Sequence, residues 1–230
     1  MSDQTSYLGV VKAVLLKDLR IELRSKETLA TMGLFGLVMT FVLAFGFTAD
    51  PATNRKVIPG ALWTALLFAG VLGVGRTFAR EAKDDAFTAM ILSPAPRSAI
   101  LLAKMVVNLL LSLSIVALVT PLFAVILQVD LTGELAGILG LLFLGATGFA
   151  VVGTPLAVMA VNARFAEVLL PMVVFPMVTP VLIGGVSGTA VLLGLVFAPD
   201  GLAPWVQGMV AFDVAFGVGA LFLFEKMVTE

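Results

Sequence analysis

Charged residues divide this chain into long uncharged stretches. The first five stretches are 22, 19, 25, 29 and 32 residues long, and a sixth, between Asp200 and Glu225, is interrupted only by Asp213. A helix needs about 20 apolar residues to cross a hydrocarbon core of about 30 Å. Because lipid offers no hydrogen bonds, the backbone of each stretch must satisfy its own polar groups as a helix. The pattern therefore predicts an all-α membrane protein whose six spans cover residues 28–48, 58–79, 100–127, 135–161, 168–197 and 205–224.

Small residues and tryptophans refine the predicted spans. A cluster of small residues in the fifth span favours a break or a re-entrant turn there. Its members are Gly184, Gly185, Ser187 and Gly188. Trp63 and Trp205 lie near the predicted outer membrane boundary, where aromatic rings often anchor a helix at the interface. We therefore expect both tryptophans to be interfacial.

A segment rich in charge precedes the first span. Leu8, Val11, Leu15 and Leu19 recur at helical spacing, so this segment is predicted to be a helix. One interpretation is an interfacial helix lying on the cytoplasmic leaflet. The other is a helical extension of the first span. The predicted organisation is an N-terminal helix in residues 1–27 and a six-helix transmembrane domain in residues 28–230.

Lysine and arginine are unevenly distributed between the two ends of the predicted spans. Twelve of the 14 lie on the side of the N-terminal segment, the second and fourth loops and the C-terminal tail. Arg55 and Lys56 lie on the opposite side. Because positively charged loops tend to stay in the cytoplasm, both termini are predicted to be cytoplasmic.

The composition excludes several classes of function. Hydrophobic residues make up 60% of the chain and charged residues only 13%, against about 25% charged residues in soluble domains. The absence of cysteine and histidine excludes zinc sites built on those residues and catalysis by an imidazole. A net charge of −1 provides no electrostatic footprint for nucleic acid. The sequence also lacks a GxxxxGKS/T phosphate loop, so ATP hydrolysis would need a separate chain.

The segment between the second and third spans, residues 76–104, holds eight of the chain's 29 formally charged residues. Charges of both signs run from Arg80 to Asp85, and an apolar face follows at helical spacing. That face consists of Phe87, Met90, Ile91 and Leu92. Pro94 and Pro96 then stop the helix. The pattern indicates a short amphipathic helix beneath the membrane that docks a soluble partner, or alternatively a plain solvated loop helix.

This segment resembles the corresponding stretch of the CcmB family, the membrane components of haem exporters in cytochrome c maturation. The matching residues are Arg76, Phe78, Glu81, Asp84, Ala86, Ile91, Leu92, Ser93, Pro94, Ala103 and Lys104. Asp85 and Thr88 depart from the family pattern, which has glycine and glutamate at those places. Residues 58–69 and 175–184 resemble the second and fifth spans of the family, so the resemblance covers residues 15–190.

The resemblance implies the membrane permease subunit of an ABC-type haem exporter, with ABC-2-type architecture, in the bacterial inner membrane. The implied partners are a cytoplasmic ABC ATPase that binds ATP, a haem-handling membrane subunit, a small single-span membrane subunit, a periplasmic haem chaperone and a second copy of this chain. Haem would be a transported or handled ligand, and no cofactor is expected to be bound stably by this chain. The coupling element, residues 76–98, would dock into the ATPase. Its expected coupling residues are Arg76, Phe78, Arg80, Glu81, Asp84, Asp85, Phe87, Ile91, Leu92, Ser93 and Pro94.

Prolines and one acidic residue lie within the predicted spans. Pro171, Pro176 and Pro180 weaken the hydrogen bonds of the fifth helix, so they are candidate hinge or pathway residues, or ordinary prolines of a membrane helix. Asp213 is the one acidic residue deep within a span, where a charge costs about 2.5–3.5 kcal/mol on insertion scales. It is either a pathway residue or a polar packing contact.

Two rival functions fit the same residues. One is an ABC-2-type permease for another cargo, such as a drug, a lipid or a polysaccharide. The other is a non-transporting membrane scaffold that anchors maturation factors. Among the usual protein ligands of haem iron the chain has only methionine and tyrosine. A membrane-buried methionine is more often a packing residue, so the sequence does not predict stable haem ligation.

Overall fold

Seven α-helices make up nearly all of the chain that the computed structural model describes. The described residues are 6–46, 51–83, 95–160 and 166–227. In chain order the helices are α1 (Tyr7–Ser25), α2 (Glu27–Gly46), α3 (Pro51–Lys83), α4 (Arg97–Ile126), α5 (Leu135–Ala160), α6 (Ala166–Leu192) and α7 (Ala203–Met227). Each of α3 to α7 is long and apolar enough to cross a membrane, and α1 with α2 forms a bent pair that provides a sixth candidate span.

The structure confirms the predicted fold class, an all-α polytopic membrane protein. The predicted spans 58–79, 100–127, 135–161 and 205–224 fall on α3, α4, α5 and α7. The first predicted span, 28–48, falls on α2, which counts as a span together with α1. The sidedness of the two termini stays a prediction.

The N-terminal helix ends at a sharp break. Lys26 has a left-handed φ of 55°, and its N–H donates to the Glu22 carbonyl at 2.6 Å. A left-handed residue at this place ends a helix because it turns the chain out of the helical path. The axes of α1 and α2 consequently meet at 64°. The N-terminal segment is therefore a separate helix and not a straight extension of the first span.

α3 lies at the centre of the bundle and α7 at its edge. α3 packs against α2, α4, α5 and α6, whereas α7 packs against α4, α5 and α6 and leaves most of its surface exposed. The largest fully buried side chains include Trp63 of α3, Phe123 of α4 and Phe149 of α5. These three helices therefore supply the bulk of one apolar core.

Trp63 occupies the middle of this core. It is only 1% exposed, and its ring packs directly on Gly145 of α5 and Gly185 of α6. Its Nε1 donates a hydrogen bond to Thr189 Oγ1 at 3.0 Å, and Thr189 donates to the Gly185 carbonyl at 2.8 Å. The expectation that Trp63 is an interfacial anchor is therefore wrong, because glycines on two neighbouring helices make room for the ring inside the bundle. Trp205, at the start of α7, is half-buried.

The glycine-rich part of α6 is helical. α6 runs through these residues without a break and ends at Leu192, so the predicted break or re-entrant turn is wrong and the fifth span is shorter than predicted. A Cβ on Gly184 would lie 2.9 Å from Met209 of α7, and one on Gly188 would lie 3.0 Å from Leu141 of α5. Small residues here allow close approach of neighbouring helices, which is their usual role in membrane bundles.

Hydrogen bonds from the start of α3 join the helix ends on the predicted outer side. Asn54 Nδ2 donates to the Leu127 carbonyl at 3.1 Å, just after α4. The Arg55 guanidinium donates to Glu134 Oε1 at 2.8 Å, just before α5, and to the Leu193 carbonyl at 3.3 Å, just after α6. Two adjacent residues therefore fasten the ends of four helices.

We predict that Gly185→Ala destabilises the bundle. The added Cβ would clash with the Trp63 ring, and overpacking of a core typically costs about 1–3 kcal/mol. Gly208→Ala is the matched control, because nothing lies within 4 Å of a Cβ at that helical position. Thermal unfolding of the detergent-solubilised protein, followed by tryptophan fluorescence, should show a lower Tm for Gly185→Ala only. Equal melting of the two variants would contradict this account of the core.

Candidate functional site

The predicted coupling element begins on the C-terminal part of α3. Arg76, Phe78, Arg80 and Glu81 lie within α3, which continues as a helix to Lys83. The first part of the element is therefore continuous with the second span. The remaining predicted coupling residues lie outside the described residues. They are Asp84, Asp85, Phe87, Ile91, Leu92, Ser93 and Pro94. The ATPase-docking role of the whole element stays a prediction.

α1 packs against the first turns of α4, directly after the coupling element. Ala99 and Ile100 of α4 are buried with Val10 of α1 in a small apolar cluster that is separate from the main core. Val11 and Val14 of α1 pack around this cluster. The N-terminal helix is thus attached to the start of the third span.

One turn further along both helices, a buried ion pair joins α1 to α4. Lys104 Nζ lies 2.9 Å from Asp18 Oδ2, and the two side chains are only 1% and 8% exposed. Lys17 Nζ lies 2.9 Å from Asp18 Oδ1 at the more exposed edge of the pair. Separating two charges in buried surroundings is costly, because each is then left uncompensated. We therefore treat α1 and the start of α4 as one mechanical unit.

Glu22 closes the bend between α1 and α2. Its side chain is buried, and its Oε1 accepts a hydrogen bond from the Leu29 N–H at 3.0 Å. Leu29 lies in the first turn of α2, where backbone N–H groups have no partner within the helix. Val10, Val14, Asp18 and Glu22 recur every four residues, so the contacts of α1 lie on one of its faces.

The Asp18–Lys104 pair was not predicted from the sequence. In the sequence Lys104 was one of the cations that mark the cytoplasmic side and the last residue of the family-like motif. Two signals were available: Lys104 lies inside the predicted third span, where a charge needs a partner, and Asp18 continues the four-residue spacing of Val10 and Val14. To choose Asp18 among the acidic residues as the partner of Lys104, one would need to know where α1 crosses α4.

A polar stripe continues from Lys104 into the bundle along one face of α4. Asn108 Nδ2 donates to Thr154 Oγ1 of α5 at 3.0 Å, and both side chains are buried. Ser112 and Thr120 follow four and twelve residues after Asn108 and are also buried. Hydrogen bonds between membrane helices contribute about 0.6–2 kcal/mol each. The stripe therefore helps to fix how α4 is rotated against α5.

The three prolines of the fifth span lie within the uninterrupted helix α6. Each proline lacks an N–H and so leaves one carbonyl of the preceding turn without its usual donor. Pro176 and Pro180 lie on the exposed side of α6, while Val174 and Val178 are buried on the core side. The helix is thus weakened on the face away from the core. The hinge or pathway role of Pro171, Pro176 and Pro180 stays a prediction.

Asp213 faces the interior of the bundle from α7. The residue is 8% exposed, and neither carboxyl oxygen has a hydrogen-bond partner within the described part of the chain. Its nearest packing neighbour on α5 is Gly148, where an added Cβ would lie 2.9 Å from Oδ1. The carboxyl therefore packs against a glycine and an apolar wall.

The possible haem ligands are divided between the core and the surface of the bundle, with Met32, Met105 and Met209 buried among apolar side chains. Tyr7 is partly exposed on α1, Met159 is exposed at the end of α5, and Met172 of α6 is 67% exposed. Among the described residues there is no group of three or more acidic side chains that could hold a metal ion. Haem approaching the exposed side chains as a substrate would meet them at the surface and not in an enclosed pocket.

These features define a class of protein: a polytopic helical membrane protein whose N-terminal helix packs against the start of its third span. Comparison with known families makes this specific, because residues 10–225 match the model of the family described as CcmB protein. The match spans nearly the whole chain, so this chain belongs to the CcmB family. The resemblance stated from the sequence motifs is confirmed.

Several curated relatives carry the name "Heme exporter protein B". The relative from Rhodobacter capsulatus is 28% identical over 175 residues, covering 76% of this chain and 80% of the relative. The relative from Haemophilus influenzae is 31% identical over 179 residues, covering 77% and 78%. The relative from Bradyrhizobium diazoefficiens is 28% identical over 188 residues, covering 81% and 84%.

We predict that Lys104→Met loosens α1 from the bundle. Asp18 would keep the more exposed Lys17 as a counter-charge. The free energy that holds α1 on the bundle should therefore fall by up to about 3–5 kcal/mol, the usual cost of breaking a buried ion pair. Hydrogen exchange of the backbone amides of α1 measures the effect, and exchange should be faster in the variant.

The double variant Asp18→Leu with Lys104→Met is the matched control. It should recover most of the lost protection, because apolar residues of similar volume can replace a buried ion pair. Unchanged exchange in Lys104→Met alone would show that the pair does not hold α1 in place.

Proposed function

We propose that this chain is the membrane permease subunit of a haem exporter that acts in cytochrome c maturation. The observation that carries the proposal is the CcmB family match over residues 10–225, together with relatives named "Heme exporter protein B". The five or six candidate spans fit a multi-pass membrane subunit. Haem is the handled substrate in this proposal and not a resident cofactor.

ATP hydrolysis is assigned to a separate ATPase subunit. The sequence has no GxxxxGKS/T loop, whose backbone N–H groups and lysine would cradle the phosphates of ATP. The chain is therefore a non-catalytic permease subunit that responds to nucleotide bound elsewhere. The CcmB membership supports partnership with an ABC ATPase.

Two connected helices would carry movement from the ATPase into the bundle. α3 runs unbroken from the Trp63 region of the core to Lys83 in the coupling element. α4 begins at Arg97, in the last residues of that element, and is joined to α1 through Asp18 and Lys104. A displacement of the coupling element would therefore move the ends of α3, α4 and α1 together.

The finer assembly belongs to the same proposal. We propose that the chain works with a haem-handling membrane subunit, a small single-span membrane subunit and a periplasmic haem chaperone, and that two copies of the chain face two ATPases. The support for these partners is the family resemblance of the coupling segment and of the second and fifth spans. In this arrangement ATP hydrolysis drives haem delivery or release of the loaded chaperone.

Affinity purification from the native membrane, combined with deletion of the gene, tests the proposal. An ABC ATPase and a haem-binding membrane protein should co-elute in mild detergent, and the deletion strain should lose its c-type cytochromes until the gene is restored. An ATPase without any haem-binding protein, together with normal cytochromes in the deletion strain, would favour a permease for another cargo.

We predict that Glu81→Lys combined with Asp84→Lys reduces co-purification of the ATPase. Both residues belong to the charged part of the predicted coupling element, and like charges placed in an interface suppress association. Asp130→Lys with Asp200→Lys is the matched control, because these exposed acidic residues lie on the predicted opposite side. Recovery of the ATPase should fall for the first pair and remain normal for the second. Equal recovery of the ATPase with both double variants would contradict the assignment of Glu81 and Asp84 to the coupling element.

A permease and a scaffold differ in whether the spans move. The Phe68 ring of α3 lies between two other rings, with centroids 5.1 Å from Phe35 of α2 and 5.9 Å from Phe175 of α6. These three aromatic rings therefore connect the first, second and fifth spans. They provide a place at which relative movement of the spans can be measured.

We predict that cross-linking between Phe35→Cys and Phe175→Cys depends on ATP hydrolysis. The chain has no native cysteine, so the introduced pair is free of background. In the assembled complex the yield with a short bifunctional thiol reagent should differ between ATP and a non-hydrolysable analogue. Each single-cysteine variant serves as the control for intermolecular products. An identical yield in all nucleotide states would favour the scaffold.

A further inference from the structure

Asp213 lies at mid-depth of α7. The candidate span of this helix runs from Ala203 to Phe224, so the Asp213 backbone lies about 15 Å from either end at 1.5 Å per residue. A hydrocarbon core is about 30 Å thick. The carboxyl group is therefore close to the middle of the membrane, far from both aqueous sides.

The carboxyl group fills a notch between α5 and α6. Asp213 and Met209, one turn earlier, are buried on the face that α7 turns toward the bundle. A Cβ on Gly148 would lie 2.9 Å from Asp213 Oδ1 and 2.9 Å from a methyl group of Val181. The notch exists because residue 148 is glycine. Asp213 is consequently enclosed by protein and does not reach the lipid-facing side of α7.

The helices around Asp213 provide no charge to neutralise it. α7 packs against α4, α5 and α6, and α5 contains no charged residue. On α4 the charged residues are Arg97 and Lys104, both near its start, and Lys104 is bound to Asp18. On α6 the charged residue is Glu167, whose backbone lies about 20 Å along the helix from Val181.

On α7 the other charged residues, Glu225 and Lys226, lie near its C-terminal end. Neither oxygen of Asp213 has a hydrogen-bond partner among the residues that the structure describes. An unpaired carboxylate in apolar surroundings is far more costly than the neutral acid. Among the described residues, no charge lies at this depth to compensate a carboxylate at Asp213.

We propose that Asp213 is an intramembrane proton-binding site, whose carboxyl group holds a proton while α7 is seated on Gly148. Gly148 and Val181 leave little space beside the carboxyl group. A proton can bind there, whereas a larger cation would have to displace a helix. Release of the proton leaves a buried carboxylate, which favours movement of α7 toward water. This inference rests on the geometry of the chain alone and is independent of the cargo.

Labelling with dicyclohexylcarbodiimide, an apolar carbodiimide, in native membranes containing the whole assembly tests the site. The reagent reacts with a protonated carboxyl group: the acid proton moves to a carbodiimide nitrogen, the carboxyl oxygen adds to the central carbon, and the adduct rearranges to an N-acylurea. No group leaves, so the peptide gains the mass of the whole reagent. Mass spectrometry should find this adduct at Asp213 at pH 7, with the yield falling as the pH is raised.

Asp130 provides the internal control. Hydrogen bonds from the backbone N–H and the hydroxyl of Thr132 lower the pKa of this exposed carboxyl group, so it is ionised at pH 7 and should not be labelled by the apolar reagent. A water-soluble carbodiimide with an added amine should show the reverse preference. Asp213→Asn should lose the adduct completely.

Two glycine variants test the notch without changing the acid. Gly148→Ala should displace the Asp213 carboxyl group and reduce the labelling at pH 7, whereas Gly140→Ala on the same helix should leave it unchanged, because nothing lies within 4 Å of that Cβ. Two results would overturn the proposal. One is the absence of an adduct at Asp213 at pH 7 together with the absence of the carbonyl stretch of a protonated carboxyl group from the infrared difference spectrum between the wild-type protein and Asp213→Asn. The other is equal labelling of Asp213 by the water-soluble reagent, which would show an aqueous, ionised group.

Discussion

Polar groups inside a membrane find no water to bond with, and this constraint organises the bundle. Backbone groups satisfy it by forming helices. Side chains satisfy it in pairs that cross from one helix to another: Lys104 binds Asp18, and Asn108 binds Thr154. Each pair fixes one helix against its neighbour in a particular rotation. The apolar core supplies most of the buried surface, but apolar contacts alone would permit many rotations of similar energy.

Close packing around Trp63 is the second determinant of the arrangement. Lipid tails are as apolar as leucine, so membrane helices associate mainly through good packing and not through expulsion of water. The indole ring of Trp63 gains that packing by lying on Gly145 and Gly185 and by bonding Thr189. One large side chain on α3 thus accounts for one glycine on α5 and one on α6. Gly185 belongs to the cluster of small residues that would suggest a break if α6 were considered alone.

The approximate positions of the spans followed from the charge pattern, because burying charge in lipid is costly enough to exclude most of it from the spans. The end of the fifth span did not, since α6 ends at Leu192 and not at residue 197. The coupling segment was identified by its resemblance to a family. What the sequence did not reveal were contacts between distant elements. Trp63 was wrongly predicted to lie at the interface, because burial of its ring in the core depends on glycines more than 80 residues away in the sequence. No partner was predicted for Lys104, because Asp18 lies on a helix that crosses α4 at an angle the sequence does not specify.

The two ends of the bundle are held more firmly than its edge. On the predicted outer side, Asn54 and Arg55 join the ends of α3, α4, α5 and α6. At the other end, Asp18 joins α1 to α4. α7 is held by a narrow stripe at whose centre is Asp213, a group that has no bonded partner in the described chain. Ion pairs and hydrogen bonds thus join α1, α3, α4, α5 and α6, while α7 packs on α5 and α6 through Asp213 and Met209. The seating of α7 therefore depends on small residues of the facing helices, because Gly184 of α6 accommodates Met209 and Gly148 of α5 accommodates Asp213.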